Sequence, residues 1–247
     1  MFVAASTHCF KDKSFEEACV QLTDLDYDKV EIWMSSECDH LRPEEVAADP
    51  DTFLSNFREQ TRLTPIAFCL EEDISAETLT ALSRLAKQMR VTQITVPSSE
   101  MGTPFNMEVD RLREFVSITN RDSVRLSIKT KTGHLTEDPH TAVELCQAAK
   151  GLGITLDPSY YICGPSRGQS YDQVFPYVYH THLRDTSPEQ VQVQIGLGEV
   201  DYNRLVSLLE RHPYSVALSV DLLPEMLEGA DRLLEMRKMR RLLETLL

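Results

Sequence analysis

The sequence predicts an α/β protein built as a single (β/α)8 TIM barrel spanning residues 1–247. Three observations predict it. The length of 247 residues is close to the ~250 typical of an eight-fold barrel. Short β-rich apolar runs alternate with stretches of helical period along the whole chain, and repeated βα units build a parallel sheet. The turn after the first strand, Thr7-His8-Cys9-Phe10-Lys11, has no glycine, whereas an open doubly wound sheet usually carries a Gly-rich nucleotide turn there.

The elements follow in order. The first strand is about Phe2 to Ser6. Ser14 then reads as an N-cap, with Glu17 at the capping-box position. The second strand is Lys29 to Met34, and Pro43 sits in the first turn of the next helix. The third strand is Thr64 to Leu70. Ser75 caps a helix from Ala76 to Met89 that carries Leu79, Leu82, Leu85 and Ala86 on one face. The fourth strand is Gln93 to Val96, followed by a helix near Val109 to Ile118. The fifth strand is Val124 to Ile128, and a helix from Pro139 to Ala149 stops at Gly151 and Gly153. The sixth strand is Ile154 to Leu156 and the seventh is Tyr177 to Leu183. Asp201 caps a helix from Tyr202 to Glu210. The eighth strand is Val216 to Val220, and the last helix runs from Ala230 to Leu246. Between them, Gln190 to Ile195 alternates polar and apolar residues and is expected to form a short extended arm, which Gly196 and Gly198 turn back toward the site.

Composition excludes several classes. The net charge of −14 disfavours a polyphosphate partner, which needs clustered Lys and Arg. No segment approaches the 18 apolar residues of a membrane span. The six cysteines are scattered without a C-x-x-C pair, as expected of reduced thiols in a cytoplasmic protein. Phe2-Val3 reads as entering a strand at once, so no signal peptide is expected.

In such a barrel, functional side chains gather where strands end. The strand ends here offer His8, Glu31, Lys129, Lys131, Asp157 with Tyr160 beyond it, His180, His182, Arg184, Asp185 and Asp221. His180 and His182 are two apart in a strand and so face the same side. Either both serve the site or one is packed in the core. Asp157 and Asp221 read equally as site carboxylates or turn residues. Glu31 lies inside a strand, where a carboxylate needs an ion-pair partner or a ligand. Glu199 falls near the mouth, or at the N-terminus of the next helix.

These residues resemble a known family. Val30-Glu31-Ile32, Thr155-Leu156-Asp157-Pro158, Tyr179-His180-Thr181-His182-Leu183-Arg184-Asp185, Gly196-Leu197-Gly198-Glu199-Val200-Asp201-Tyr202 and Leu218-Ser219-Val220-Asp221 are similar to the xylose isomerase-like barrels. That group includes sugar phosphate isomerases/epimerases and the second family of AP endonucleases. The resemblance implies a divalent metal held by Glu, Asp, His and Glu at the ends of strands five to eight. Those positions fall on Lys129, Asp157, His182 and Asp221, and a further family histidine falls on Tyr160. Two unit charges 4 Å apart interact by about 4 kcal/mol at an effective dielectric of 20. An ammonium at the first position therefore opposes a divalent ion by roughly 8 kcal/mol. Lys129 must swing away, lose its proton or replace the metal. The oxygen and imidazole donors suit Mn, Mg or Zn if another carboxylate such as Glu31 fills in.

The resemblance implies a sugar, sugar-acid or sugar-phosphate isomerase/epimerase-like enzyme that moves a proton next to a carbonyl. Asp221 is the expected base and Lys129 the expected polarising group, with Asp157 and His182 holding the metal or Lys129. His8, Glu31, Tyr160, His180, Arg184 and Glu199 are expected to line the substrate site. The alternative is a catalytically degenerate barrel used as a small-molecule binding or assembly module. An AP endonuclease is opposed by the net charge and by Lys129. The expected partner is a small carbohydrate-like molecule, with no nucleic acid or membrane; a homo-oligomer stays open.

Overall fold

The computed structural model describes residues 1–212, 217–227 and 229–247. Eight parallel strands close into a barrel in sequence order: β1 (Phe2–Ser6), β2 (Lys29–Met34), β3 (Thr64–Leu70), β4 (Gln93–Pro97), β5 (Arg125–Lys129), β6 (Leu152–Leu156), β7 (Val178–Leu183) and β8 (Ala217–Val220). The pairing of β1 with β8, Phe2 opposite Ala217 through Ala5 opposite Val220, closes the ring. Val216, expected to open the last strand, lies outside the described residues.

Helices α1 (Phe15–Asp24), α2 (Pro43–Ala48), α3 (Pro50–Gln60), α4 (Ala76–Met89), α5 (Phe105–Asn120), α6 (Pro139–Ala148), α7 (Ser159–Ile162), α8 (Tyr202–Glu210) and α9 (Arg232–Glu244) connect the strands or follow the last of them. The caps at Ser14, Ser75 and Asp201 form as the sequence predicts. Ser14 accepts from the Glu17 amide while the Glu17 carboxylate reaches back to the Ser14 amide. Ser14→Ala is expected to lower the unfolding free energy by about 1 kcal/mol in urea titrations.

Some boundaries differ from the sequence reading. The helix opened by Pro43 is followed by a second one, α3, because Pro50 cannot donate to the preceding turn and Asp49 caps a new start, accepting from the Thr52 amide. The expected helix Val109–Ile118 is longer, the fifth strand is shifted one residue, and the last helix is shorter at both ends. Gly153 does not stop α6. It lies within β6, and a Cβ there would meet the Tyr179 ring at 2.1 Å. Gly151, at φ +97°, provides the turn by itself.

Strand alternation places the site. Along β5, Leu126 and Ile128 join the core under the helices, so Ser127 and Lys129 face the lumen. Along β2, Val30, Ile32 and Met34 face the helices, leaving Glu31 and Trp33 inward. The lumen floor is a hydroxyl layer in which Thr155 meets Thr95 at 2.8 Å and Ser127 at 2.5 Å. No described helix is long and apolar enough to cross a membrane.

Candidate functional site

Six strand ends, those of β1, β3, β5, β6, β7 and β8, deliver one buried charge cluster to the C-terminal mouth. Asp221, directly after β8, is its centre. Its Oδ1 lies 2.8 Å from His8 Nδ1, and its Oδ2 accepts from Arg184 Nη2 at 2.7 Å. The same Oδ2 is 3.5 Å from His182 Nδ1 and 3.7 Å from Lys129 Nζ. Arg184 Nη2 also lies 2.8 Å from Asp157 Oδ2, and its Nε donates to the Asp221 carbonyl at 2.8 Å. Arg184 is therefore the cation that spans Asp157 and Asp221. Lys129 was the residue expected to bridge them if an ammonium replaced the metal, but its ion pairs run to Asp221 and, at 3.8 Å, to Glu71. The difference is one of reach. Arg184 is two residues beyond His182 on the same face of the chain, and its longer side chain folds back over the strand ends.

Glu31, His180 and His182 form a second group deeper in the lumen. Glu31 Oε2 accepts from His182 Nε2 at 2.8 Å and lies 2.5 Å from His180 Nε2. All three are fully buried. Both histidines thus face the lumen, edge to face with ring centroids 5.3 Å apart. Tyr160 covers the Arg184 guanidinium at 5.7 Å from its ring centroid. Glu199 is exposed, and among the described residues none pairs with its carboxylate. Its amide instead ties the loop to the Thr186 carbonyl at 2.8 Å.

Electrostatics follow from burial and pairing. Burial would raise the Asp221 carboxyl, but His8, Lys129, His182 and Arg184 outweigh it and hold it well below the usual range. Burial likewise opposes charge on Glu31, yet His182 and His180 keep it low. On Lys129 the desolvation is overcome by Glu71 and Asp221, so the ammonium is held charged. That suits an electrostatic role and argues against a Schiff-base nucleophile. His182 is raised because Glu31 and Asp221 outweigh its burial, whereas burial dominates at His180 and lowers it.

Two residues absent from the sequence-based site set complete the arrangement. Glu71 immediately follows β3 and accepts from Trp33 Nε1 at 3.1 Å and Lys131 Nζ at 2.8 Å. Its signal was the acidic pair Glu71-Glu72 at a strand end. Trp33 stacks on His8 with ring centroids 4.4 Å apart. Glu71 and Lys131 also line a cavity of about 530 Å³, together with Ser98, Ser99, Arg111 and His134. These residues follow β3, β4 and β5, so the cavity opens at the mouth and adjoins the charge cluster through Glu71.

The segment from 190 to 195 is tied back rather than paired as a strand. The Val193 amide donates to the Asp185 carbonyl, and Gln192 exchanges two bonds with the Leu223 backbone. The glycine turn then closes on Asp185, whose Oδ2 accepts from the Gly196 and Gly198 amides at 2.7 and 3.0 Å. A Cβ at Gly198 would meet Asp185 Oδ1 at 2.1 Å and the Thr186 amide nitrogen at 2.6 Å, so that position requires glycine.

Two triads present ligand-type atoms within 4.8 Å of one another: Glu31, His180 and His182, and Asp157, His182 and Asp221.

Solved structures share this architecture. A probable 3-DHS dehydratase, AsbF, from Bacillus anthracis superposes with a TM-score of 0.73 at 15% identity, over 99% of each chain. D-allulose 3-epimerase from Methylomonas sp. gives 0.73 at 9% identity, over 100% of this chain and 98% of that one. A xylose isomerase-like TIM barrel protein from Mycobacterium smegmatis, in complex with magnesium, gives 0.70 at 16% identity, over 97% and 96%. At these identities the likeness shows the fold alone. No curated protein sequence matches the chain. The family profile described as "Xylose isomerase-like TIM barrel" matches residues 21–242. The chain therefore belongs to the xylose isomerase-like TIM barrel family.

Proposed function

We propose that this barrel is a sugar isomerase/epimerase-like enzyme that moves a proton next to the carbonyl of a small carbohydrate-like substrate. The observation that carries this reading is the Lys129–Asp221 pair. A permanent ammonium and a carboxylate stand 3.7 Å apart at the ends of β5 and β8, one ion pair behind the wall of a polar cavity. Lys129 would polarise the carbonyl oxygen and hold the negative charge that develops there as the neighbouring C–H bond breaks. The proton would pass to Asp221, whose Oδ1 is coupled to His8. With so many cations around it Asp221 is a weak base, so the stabilisation of the enolate by Lys129 has to carry most of the rate. Tyr160, over Arg184, and Glu71, at the cavity wall, are the proposed substrate contacts. Six free thiols accord with a cytoplasmic site of action.

Proton NMR in D2O over a panel of aldoses, ketoses and their phosphates tests the reading. The expected result is exchange of the α-hydrogen for deuterium, reduced about 100-fold or more by Lys129→Met. No exchange with any member of the panel sinks it.

One observation favours a second reading. Asp157, Arg184, His182 and Asp221 are almost wholly buried and already paired with one another, as suits a barrel that binds a small molecule without turning it over. Saturable binding of a sugar with no hydrogen exchange would select it.

A further inference from the structure

We infer that the Arg184 guanidinium occupies the position of a divalent ion in this chain, so that Asp157, His182 and Asp221 do not form a metal site although their donor atoms converge. The inference stands apart from the proposed activity, because it concerns only what fills the space between the two aspartates.

Three observations carry it. First, a single nitrogen, Arg184 Nη2, lies 2.8 Å from Asp157 Oδ2 and 2.7 Å from Asp221 Oδ2. A cation shared by those two oxygens has to take the place of that nitrogen. Second, the guanidinium has no easy way out. It is fully buried, its Nε is bonded to the Asp221 carbonyl, and Tyr160 covers its face. Turning it aside would break a backbone bond and strand a charge away from water. Third, the other donors are mostly engaged, His182 Nδ1 being the exception. Asp221 Oδ1 faces His8, His182 Nε2 is bonded to Glu31, and Lys129 brings a second fixed cation to within 3.7 Å of Asp221.

The cluster also offsets most of its own negative charge. Glu31, Glu71, Asp157 and Asp221 face Lys129, Lys131 and Arg184, with Glu31 set against the rings of His180 and His182. A divalent ion entering this set would meet three permanent cations, and each of the four carboxylates already has a cationic or imidazole partner. A guanidinium is a weaker electrophile than a divalent ion, but it needs no loading and no ligand exchange.

The second triad, Glu31 with His180 and His182, shares His182, and the test separates the two. The whole protein is stripped with EDTA, dialysed, and titrated calorimetrically with Mn2+, Mg2+ and Zn2+. Elemental analysis is run on untreated protein. Wild type is expected to show no stoichiometric binding that Asp157→Asn abolishes. The variant Lys129→Glu/Arg184→Met restores a carboxylate and removes the guanidinium. It is expected to bind Mn2+ at least tenfold more tightly than wild type, and Asp157→Asn in that background is expected to erase the gain. Metal uptake by wild type that survives Asp157→Asn and is lost with His180→Ala belongs to the deeper triad and agrees with the inference. One equivalent bound by wild type and lost with Asp157→Asn overturns it. So does a double variant that folds, by circular dichroism, yet gains no affinity. If that variant does not fold, the wild-type titration with its Asp157→Asn control decides alone.

Discussion

Arg184→Met is expected to lower the unfolding free energy by about 3–5 kcal/mol, the usual result of removing one partner from a buried ion pair. For a chain of this size that corresponds to roughly 10 °C in Tm. The two aspartates explain the size of the effect. Asp157 is fully buried and Asp221 is 1% exposed, and both have an oxygen in contact with the same guanidinium nitrogen. Without it, Asp157 loses its ion pair and Asp221 loses its closest permanent cation. The double variant Asp157→Asn/Arg184→Met should recover part of the loss, since it removes one of the stranded charges, and Arg184→Lys should fall between the extremes because an ammonium cannot make the same fork. Urea titrations at neutral pH, with EDTA present, would measure all three. A loss below about 1 kcal/mol for Arg184→Met, the level of an exposed pair, would show that the bridge adds little.

The second large effect is on the acid side. Glu31, Glu71 and Asp221 are all held below the normal carboxylate range. In each case burial works the other way and is outweighed by neighbouring charge: His182 and His180 at Glu31, Lys129 and Lys131 at Glu71, His8 and Lys129 at Asp221. In the unfolded chain such groups titrate near pH 4. The unfolded state therefore takes up protons first as the pH falls, and folding loses ground. The stabilisation is full above about pH 5 and drains as the pH falls through 4 toward the depressed native values. Unfolding free energy measured at about pH 6 and about pH 3.5 should differ by several kcal/mol, and Glu31→Gln should flatten that slope. A stability profile level across this range would contradict the charge network. On the neutral side the two lumen histidines oppose each other. His182, raised, stabilises below about pH 6.5 and loses its contribution as the pH rises. His180, lowered, stabilises above about pH 6.5 and loses its contribution as the pH falls. His40, lowered by its burial, acts in the same direction as His180.

Much of this architecture was legible in the residue order. The limits of β1, β2 and β3, and the caps at Ser14, Ser75 and Asp201, follow from local chemistry and match the structure. Strand parity also predicts that His180 and His182 share one side, which proves to be the lumen. What parity cannot supply is distance along a side chain. It places Lys129 and Arg184 at the ends of β5 and β7, on either side of β6, but does not say which cation reaches both aspartates. It offers Glu199 a place near the mouth, yet the loop turns that carboxylate outward because Asp185 holds the glycine amides. Glu71 escaped notice for a related reason. A carboxylate one residue past a strand reads as loop polarity until Trp33 and Lys131 are seen to converge on it.

Trp33 has a practical consequence. It is the only tryptophan in the chain, it is 3% exposed, and it touches both His8 and Glu71. The tryptophan fluorescence of the folded protein, excited at wavelengths where tyrosine does not absorb, therefore originates beside the candidate site and nowhere else. A sugar settling against Glu71, or a proton arriving on the stacked imidazole, changes the immediate surroundings of that one indole. Its emission can serve as an unlabelled titration signal for whatever the barrel holds.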